Sequence, residues 1–219
     1  MTKILTIDTS SKKAAISYSI KGEIIDDKVW TSKNNHSIEL SENVLKLFSS
    51  NKLKVNDLDF ISVALGPGGF TAIRVGISFA MGLSKFSNIK ILGIPTFEIE
   101  FEKNVTFKKN NLTALIPAGF NSYCWKSIDT ISERNVDGIF IDTDMNNIFK
   151  KGSYFCGEDT IKLKEKYPEF NFFEESQRTP MLMVNLTNKI INEKKQEKYY
   201  DLIPIYSRLP NITKKKESK

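Results

Sequence analysis

Histidine is almost missing from this chain: His36 is the only one in 219 residues. Zinc and iron centres take several nitrogen, sulfur or carboxylate ligands in concert. With no H-x-x-x-H or H-E-x-x-H pair, a multi-histidine metal centre is excluded. Cysteine is nearly as scarce. Cys124 and Cys156 fit no C-x-x-C spacing and are too few for a disulfide scaffold, so buried free thiols are expected. Arginine appears four times against 28 lysines. No apolar run approaches the ~20 residues of a membrane span. The opening Met1-Thr2-Lys3-Ile4-Leu5-Thr6-Ile7-Asp8 reaches charge too early for a secretory leader. A cytoplasmic location without membrane contact is the expectation. No internal repeat of solenoid period is present.

What is present suffices for a core: apolar residues make up 40% of the chain, with 15 Phe. The net charge is +6, and the excess gathers in Lys214-Lys215-Lys216-Glu217-Ser218-Lys219. Such a tail is either simply solvated or adds weak, salt-sensitive attraction to RNA.

The first hundred residues punctuate clearly. Lys3–Asp8, Ala14–Ile20 and Glu23–Trp30 are short apolar runs split by polar turns, which predicts an antiparallel meander. Asn34-Asn35 offers N-cap chemistry for a helix from His36 to Ser50, with Leu40, Val44, Leu47 and Phe48 on one face. Leu58–Leu65 reads as a buried parallel strand, Thr71–Phe86 as a second helix, and Ile89–Ile94 as a fifth strand stopped by Pro95. The order β-β-β-α-β-α-β closes a first lobe over residues 1–100. Residues 101–200 form a second lobe of weaker pattern: a polar linker at 104–111, strands at 112–117, 122–128 and 138–142, and a helix over Pro180–Lys195. Residues 201–219 are a closing segment and the lysine-rich tail.

The most informative stretch is Leu65-Gly66-Pro67-Gly68-Gly69-Phe70-Thr71-Ala72-Ile73-Arg74-Val75-Gly76. A glycine turn between a strand and a helix is either a phosphate cradle, offering free N–H groups, or a tight corner of an α/β fold. It lacks the Lys-[Ser/Thr] of a P-loop. Asp8-Thr9-Ser10 after the first strand is the arrangement by which actin-like ATPases hold Mg²⁺ and phosphate; an Asp serving turn hydrogen bonds explains it equally. Asp8, Thr9, Ser10, Gly66, Gly68 and Gly69 are therefore candidate residues of a vestigial phosphate or nucleotide site.

The second helix is apolar nearly all round, and such a helix must be buried on every side. Ala72, Gly76 and Ala80 form a bare stripe at i, i+4, i+8. That stripe packs against either the first helix or a helix of another chain.

These residues match a known family. Ile4–Ser10, His36-Ser37 opening a helix, Gly66–Gly76 and Pro204-Ile205-Tyr206-Ser207-Arg208-Leu209-Pro210 resemble the TsaB (YeaZ) family, with its G-P-G-S-F-T-G-[LI]-R-[IV]-G and P-x-Y-x-R-x-P segments. Gly69 stands where members carry Ser, and Ala72 where they carry Gly. Ile116-Pro117-Ala118-Gly119-Phe120 replaces a common Asp-Ala-Arg type segment.

The resemblance implies an α/β fold of the actin/Hsp70/sugar-kinase (ribonuclease H-like) type, with two lobes, each a mixed sheet with packed helices. It implies a non-catalytic role in making threonylcarbamoyladenosine beside the anticodon of tRNAs reading A-starting codons. A TsaD-like catalytic subunit would be the partner, a TsaE-like ATPase would join, and tRNA would be met through the complex. Pairing would run through the first lobe's two helices, with His36, Leu40, Val44, Ala72, Ile73, Gly76, Ile77 and Ala80 as interface residues. A charge at Ile77 or Ala80 is then expected to break pairing and leave the fold intact. No metal and no cofactor of its own are expected, with ATP or ADP at the partner interface a further option. The rivals are a nucleotide-hydrolysing or phosphotransfer enzyme of the same fold, and a homodimeric binding module. A metallopeptidase conflicts with the single histidine.

Overall fold

The computed structural model describes residues 1–85, 87–103, 111–119, 121–129, 135–173 and 178–207. The lysine-rich tail, Phe86, Phe120 and most of the expected 104–111 linker lie outside them.

The chain builds the same plan twice. In the first lobe, β1 (Lys3–Asp8), β2 (Lys13–Ile20) and β3 (Glu23–Thr31) form the meander, followed by α1 (His36–Ser50), β4 (Phe60–Gly66), α2 (Phe70–Lys85) and β5 (Lys90–Pro95). The sheet order is β3-β2-β1-β4-β5, with β1 antiparallel to β2 and parallel to β4. After α3 (Thr96–Glu102), the second lobe repeats it with β6 (Asn111–Pro117), β7 (Ser122–Asp129), β8 (Asn135–Ile141), α4 (Met145–Ile148), β9 (Tyr154–Gly157), α5 (Thr160–Lys166) and β10 (Asn171–Phe172). Its order, β10-β9-β6-β7-β8, again sets the central strand antiparallel to one neighbour and parallel to the other. The duplication is one of topology, so it leaves no sequence repeat.

Strand alternation sorts the first lobe's two faces. Leu5, Ile7, Ile16, Ile61 and Val63 point to one face, where Leu40, Val44 and Leu47 of α1 and Ile73, Ile77 and Ala80 of α2 cover them. Full burial of each Val, Leu or Ile among them contributes about 1.5–3 kcal/mol. Thr6 and Asp8 point to the other face, covered by α3 and by α6 (Pro180–Asn192). Met183, Leu186 and Ile190 of α6 pack on Ala64, Leu92 and Ile94, and Thr187 meets Ser62 hydroxyl to hydroxyl at 2.8 Å. The expected boundary at residue 200 therefore needs correction: α6 follows the second lobe in sequence but packs on the first sheet. Apolar spacing predicts a helix without saying which sheet it will cover.

Aromatic packing organises the second lobe. Phe149 meets Trp125, Phe140 and Phe155 edge-on, with centroids 5.1, 5.6 and 4.9 Å apart. Cys124 pairs across to Ile116 and Cys156 to Ala114, so the thiols sit on strands either side of β6. Two strand spacings of ~4.8 Å exceed a disulfide's reach, so the two thiols are not bridged to each other, and both are buried. Among the described residues no helix is long and apolar enough to cross a membrane.

Candidate functional site at the lobe junction

The glycine turn is a junction of three chain segments. Gly66 has φ +99°, a left-handed conformation that favours glycine, and a Cβ there would meet the Ile205 carbonyl oxygen at 2.3 Å. A Cβ on Gly68 would meet the Ser10 carbonyl oxygen at 2.1 Å. The Gly69 N–H donates to that Ser10 oxygen at 2.7 Å, and the Ile205 N–H donates to the Leu65 carbonyl at 2.8 Å. The turn thus holds the β1–β2 turn through the Gly69 N–H and the closing segment through the Leu65 carbonyl. These contacts give the turn a part as a corner of the fold.

Asp8, Thr9 and Ser10 come together with it, each already bonded. Thr9 Oγ1 donates to the Ala72 carbonyl at 2.7 Å. Asp8 Oδ1 accepts the Ser10 N–H at 2.9 Å and the Ser10 hydroxyl at 2.6 Å. Asp8 Oδ2 accepts Arg178 Nε at 3.0 Å. Both oxygens of the one acid placed to hold a phosphate-bound Mg²⁺ are engaged, and the guanidinium on Oδ2 sets a positive charge against a cation there.

Arg178 is the centre of the junction and the residue that sequence reasoning missed. Its Nη2 donates to Ser10 Oγ at 3.1 Å and its Nη1 to Glu100 Oε1 at 2.6 Å. Glu158 Oε1 lies 2.8 Å from the same Nη1. The side chains of Arg178 and Glu100 are 5% and 1% exposed, so these charge-assisted contacts lie in a low-dielectric interior. Burial works against the guanidinium's charge, but Asp8, Glu158 and Glu100 outweigh it and hold its pKa above the ordinary value. Burial pushes the Glu100 carboxyl up to about 7; Arg178 opposes that, while Glu158 and Asp8 add to it. The available signal was rarity: Arg178 is one of four arginines, two residues ahead of the proline that opens α6. Its partner Asp8 lies 170 positions away.

Beside this centre lies a cleft of about 740 Å³ between the lobes, lined by Ser10, His36, Gly68, Gly69 and Ala72 from the first and by Ile116, Glu158 and Lys162 from the second. His36, at the start of α1, is half-buried. Burial pushes its imidazole down against the opposing pull of Glu39, and its Nδ1 has no hydrogen-bond partner among the described residues. Asn35 is the α1 N-cap but makes no side-chain capping bond. Glu39 instead reaches back to the Lys33 N–H at 2.8 Å and to Trp30 Nε1 at 3.3 Å.

The expected interface stripe is not on the surface. Leu40, Val44, Ile73, Ile77 and Ala80 are core residues, and Gly76 is buried. A Cβ on Gly76 would meet Thr9 Oγ1 at 2.5 Å, with Val63 and Ile7 close behind. The Ala72/Gly76/Ala80 stripe is bare because α2 lies close to its own sheet and the Thr9 turn. A charge at Ile77 or Ala80 would thus enter the core, where an unpaired charge is strongly unfavourable. The apolar residues that α1 and α2 do expose are Ile38, Leu45 and Met81, at 55%, 67% and 52%. Gly82, next to Met81 on α2, has open space where its Cβ would be.

Two duplicated lobes, each with a mixed sheet and packed helices, define an actin-like α/β fold. Comparison with known proteins narrows this. The family model described as TsaD, tRNA N6-adenosine threonylcarbamoyltransferase, matches residues 23–205, and the chain belongs to that family, on its TsaB (YeaZ) branch. A similar relative is the tRNA threonylcarbamoyladenosine biosynthesis protein TsaB of Buchnera aphidicola subsp. Schizaphis graminum, 30% identical over 123 residues, or 56% of this chain. The match spans 58% of that relative's length. In fold, the chain resembles YeaZ from Pseudomonas aeruginosa, with TM-score 0.71 and 14% identity over 94% of this chain and all of that one. The activator of the 2-hydroxyisocaproyl-CoA dehydratase from Clostridium difficile, with bound ADPNP, shares the fold more distantly. Its TM-score is 0.51 with 10% identity, over 91% of this chain and 98% of that one.

Proposed function

We propose that the chain is a non-catalytic partner of a TsaD-type subunit in threonylcarbamoyl transfer to the N6 of a tRNA adenosine, working in the cytoplasm. The observation that carries this reading is the outer face of α1 and α2. Ile38, Leu45 and Met81 stand exposed there, with Gly82 next to Met81 in the chain, while the strand-end acid Asp8 is tied up by Arg178. Large aliphatic side chains exposed on the outer sides of a helix pair mark an interaction surface that a second helix pair can cover. The partner would gain activity because docking favours its competent conformer over the others. A TsaE-like ATPase, tRNA met through the complex, and ATP or ADP at the shared interface belong to the same proposal.

The test is threonylcarbamoyl transfer by the TsaD-type subunit with and without this chain. The reading expects a large gain with the chain, lost when Leu45→Glu and Met81→Glu are introduced together. Equal rates would overturn it.

The same exposed face also favours a homodimer, which would compete with the partner for it. Sedimentation of the isolated chain across concentrations tests this, and Leu45→Glu is expected to abolish any self-association.

A further inference from the structure

We propose that Arg178 latches the two lobes together, and that Glu158 is the arm of the latch that lets go. The guanidinium is anchored to the first lobe by Asp8 at the end of β1, Ser10 in the following turn and Glu100 on α3. Glu158, just after β9, is its contact with the second lobe. The four contacts are unequal. Nη1 is shared between two carboxylates, Glu100 at 2.6 Å and Glu158 at 2.8 Å. The Glu158 oxygen lies outside hydrogen-bonding geometry, and its side chain is 28% exposed against 1% for Glu100. Glu158 also lines the cleft, so solvent is available to it on the side away from Arg178.

Charge supplies the driving force. One guanidinium faces three carboxylates, so the centre carries excess negative charge when all are ionised. Two changes relieve it: a proton on Glu100, or departure of Glu158 into the cleft. Water solvates a released Glu158, whereas Glu100 has no such exit. The other groups around Glu100 are already committed. On its own helix Glu98 accepts the Tyr199 hydroxyl, and Glu102 feels Lys189 of α6. Asp8 faces it from β1, Glu158 from the β9 turn and Arg178 from ahead of α6. With Glu100 protonated the latch holds. With Glu100 ionised, Glu158 leaves and the second lobe pivots where Phe97 and Phe101 of α3 pack on Leu112 and Ala114 of β6.

The test is the interlobe distance by double electron–electron resonance in the full chain. Spin labels go on Glu42→Cys in α1 and Lys150→Cys after α4, both exposed, while the native thiols are buried. Near Glu100's midpoint of about 7, the chain is expected to show one narrow distance on the acid side and a second, longer population on the alkaline side. Glu100→Gln is expected to keep the single narrow distance at both. Glu158→Gln is expected to show the longer population at both. A wild-type distribution that does not change across the midpoint would overturn the proposal. So would a wild-type pH response surviving in either variant. Should Glu100→Gln fail to fold, the wild-type series and Glu158→Gln decide alone.

Discussion

Arg74 on α2 donates from Nε to the Tyr206 hydroxyl at 2.7 Å, joining residues 132 positions apart. The same guanidinium stacks 3.9 Å over the Phe70 ring, and the Phe70 and Tyr206 centroids are 4.7 Å apart. The glycine-turn segment and the Pro-x-Tyr closing segment, far apart in sequence, are therefore one structure: the closing segment clips the first turn of α2.

This clip predicts graded losses. Tyr206→Phe removes one exposed hydrogen bond, about 0.5–1 kcal/mol. Tyr206→Ala also removes the aromatic contact, a further loss of about 0.5–1.5 kcal/mol. Urea unfolding measures both. If the two variants prove equally stable, the ring stack contributes nothing.

The glycines separate by what their missing side chains make room for. Gly68→Ala and Gly76→Ala push a methyl against Ser10 O and Thr9 Oγ1, at 2.1 and 2.5 Å. Overpacking of that kind costs about 1–3 kcal/mol. Gly82→Ala meets nothing within 4 Å and is expected to stabilise the isolated chain, by up to about 1 kcal/mol of helix propensity. Thermal midpoints should move in opposite directions.

That contrast marks how far the sequence could be read. The first lobe's strand and helix order was legible because alternation and 3.6-residue periodicity are strong there: the helix expected at His36–Ser50 is observed over those residues, and the one expected from Thr71 begins at Phe70. The orientation of α2 was not legible, because small residues look alike whether a helix approaches its own sheet or a partner. Gly76 and Gly82 are the same letter with opposite surroundings. Arg178 was invisible for a different reason: an ion-pair centre is assembled by topology from residues up to 170 positions apart, and no local pattern records it. The short β9, α4, α5 and β10 carry too few residues for a period to show.

Glu100 makes a pH prediction for stability. Its folded pKa, about 7, lies above the ordinary 4.5. The unfolded chain therefore releases this proton first as pH rises. The stability contributed by neutral Glu100 is complete below about pH 4.5 and is lost as pH rises through about 7. Glu100→Gln, which mimics the neutral acid, is expected to gain on the wild type across that window, by an amount on the order of 3 kcal/mol. Parallel denaturation curves for the two proteins at stepwise pH check this.

The thiols make a chemical prediction. Burial pushes the Cys124 thiol up to about 11, only partly offset by its contact with the Ser207 carbonyl, so thiolate is scarce at neutral pH. Cys156 is 1% exposed. Neither should react with a thiol-specific chromogenic disulfide reagent until the chain is unfolded in denaturant, when two equivalents should appear. Fast reaction of either in the native protein would mean that the β6 neighbourhood opens readily.

The two faces of the helix pair give the sharpest separation of fold from association. Ile77 and Ala80 are 5% and 0% exposed, so Ile77→Glu and Ala80→Arg place a charge against the first sheet. Each is expected to lower stability by several kcal/mol and to leave little folded protein. Leu45 and Met81 are 67% and 52% exposed, so Leu45→Glu and Met81→Glu should change stability by no more than about 0.5 kcal/mol. If the outer face is the docking surface, these last two lose the TsaD-type subunit while keeping native circular dichroism and unfolding midpoints. Should they co-purify with it undiminished, docking lies elsewhere on the chain, and the exposure of Ile38, Leu45 and Met81 needs another cause. The loss of binding must be read on variants of unchanged stability, because Ile77→Glu and Ala80→Arg would abolish pairing whether or not those residues touch a partner.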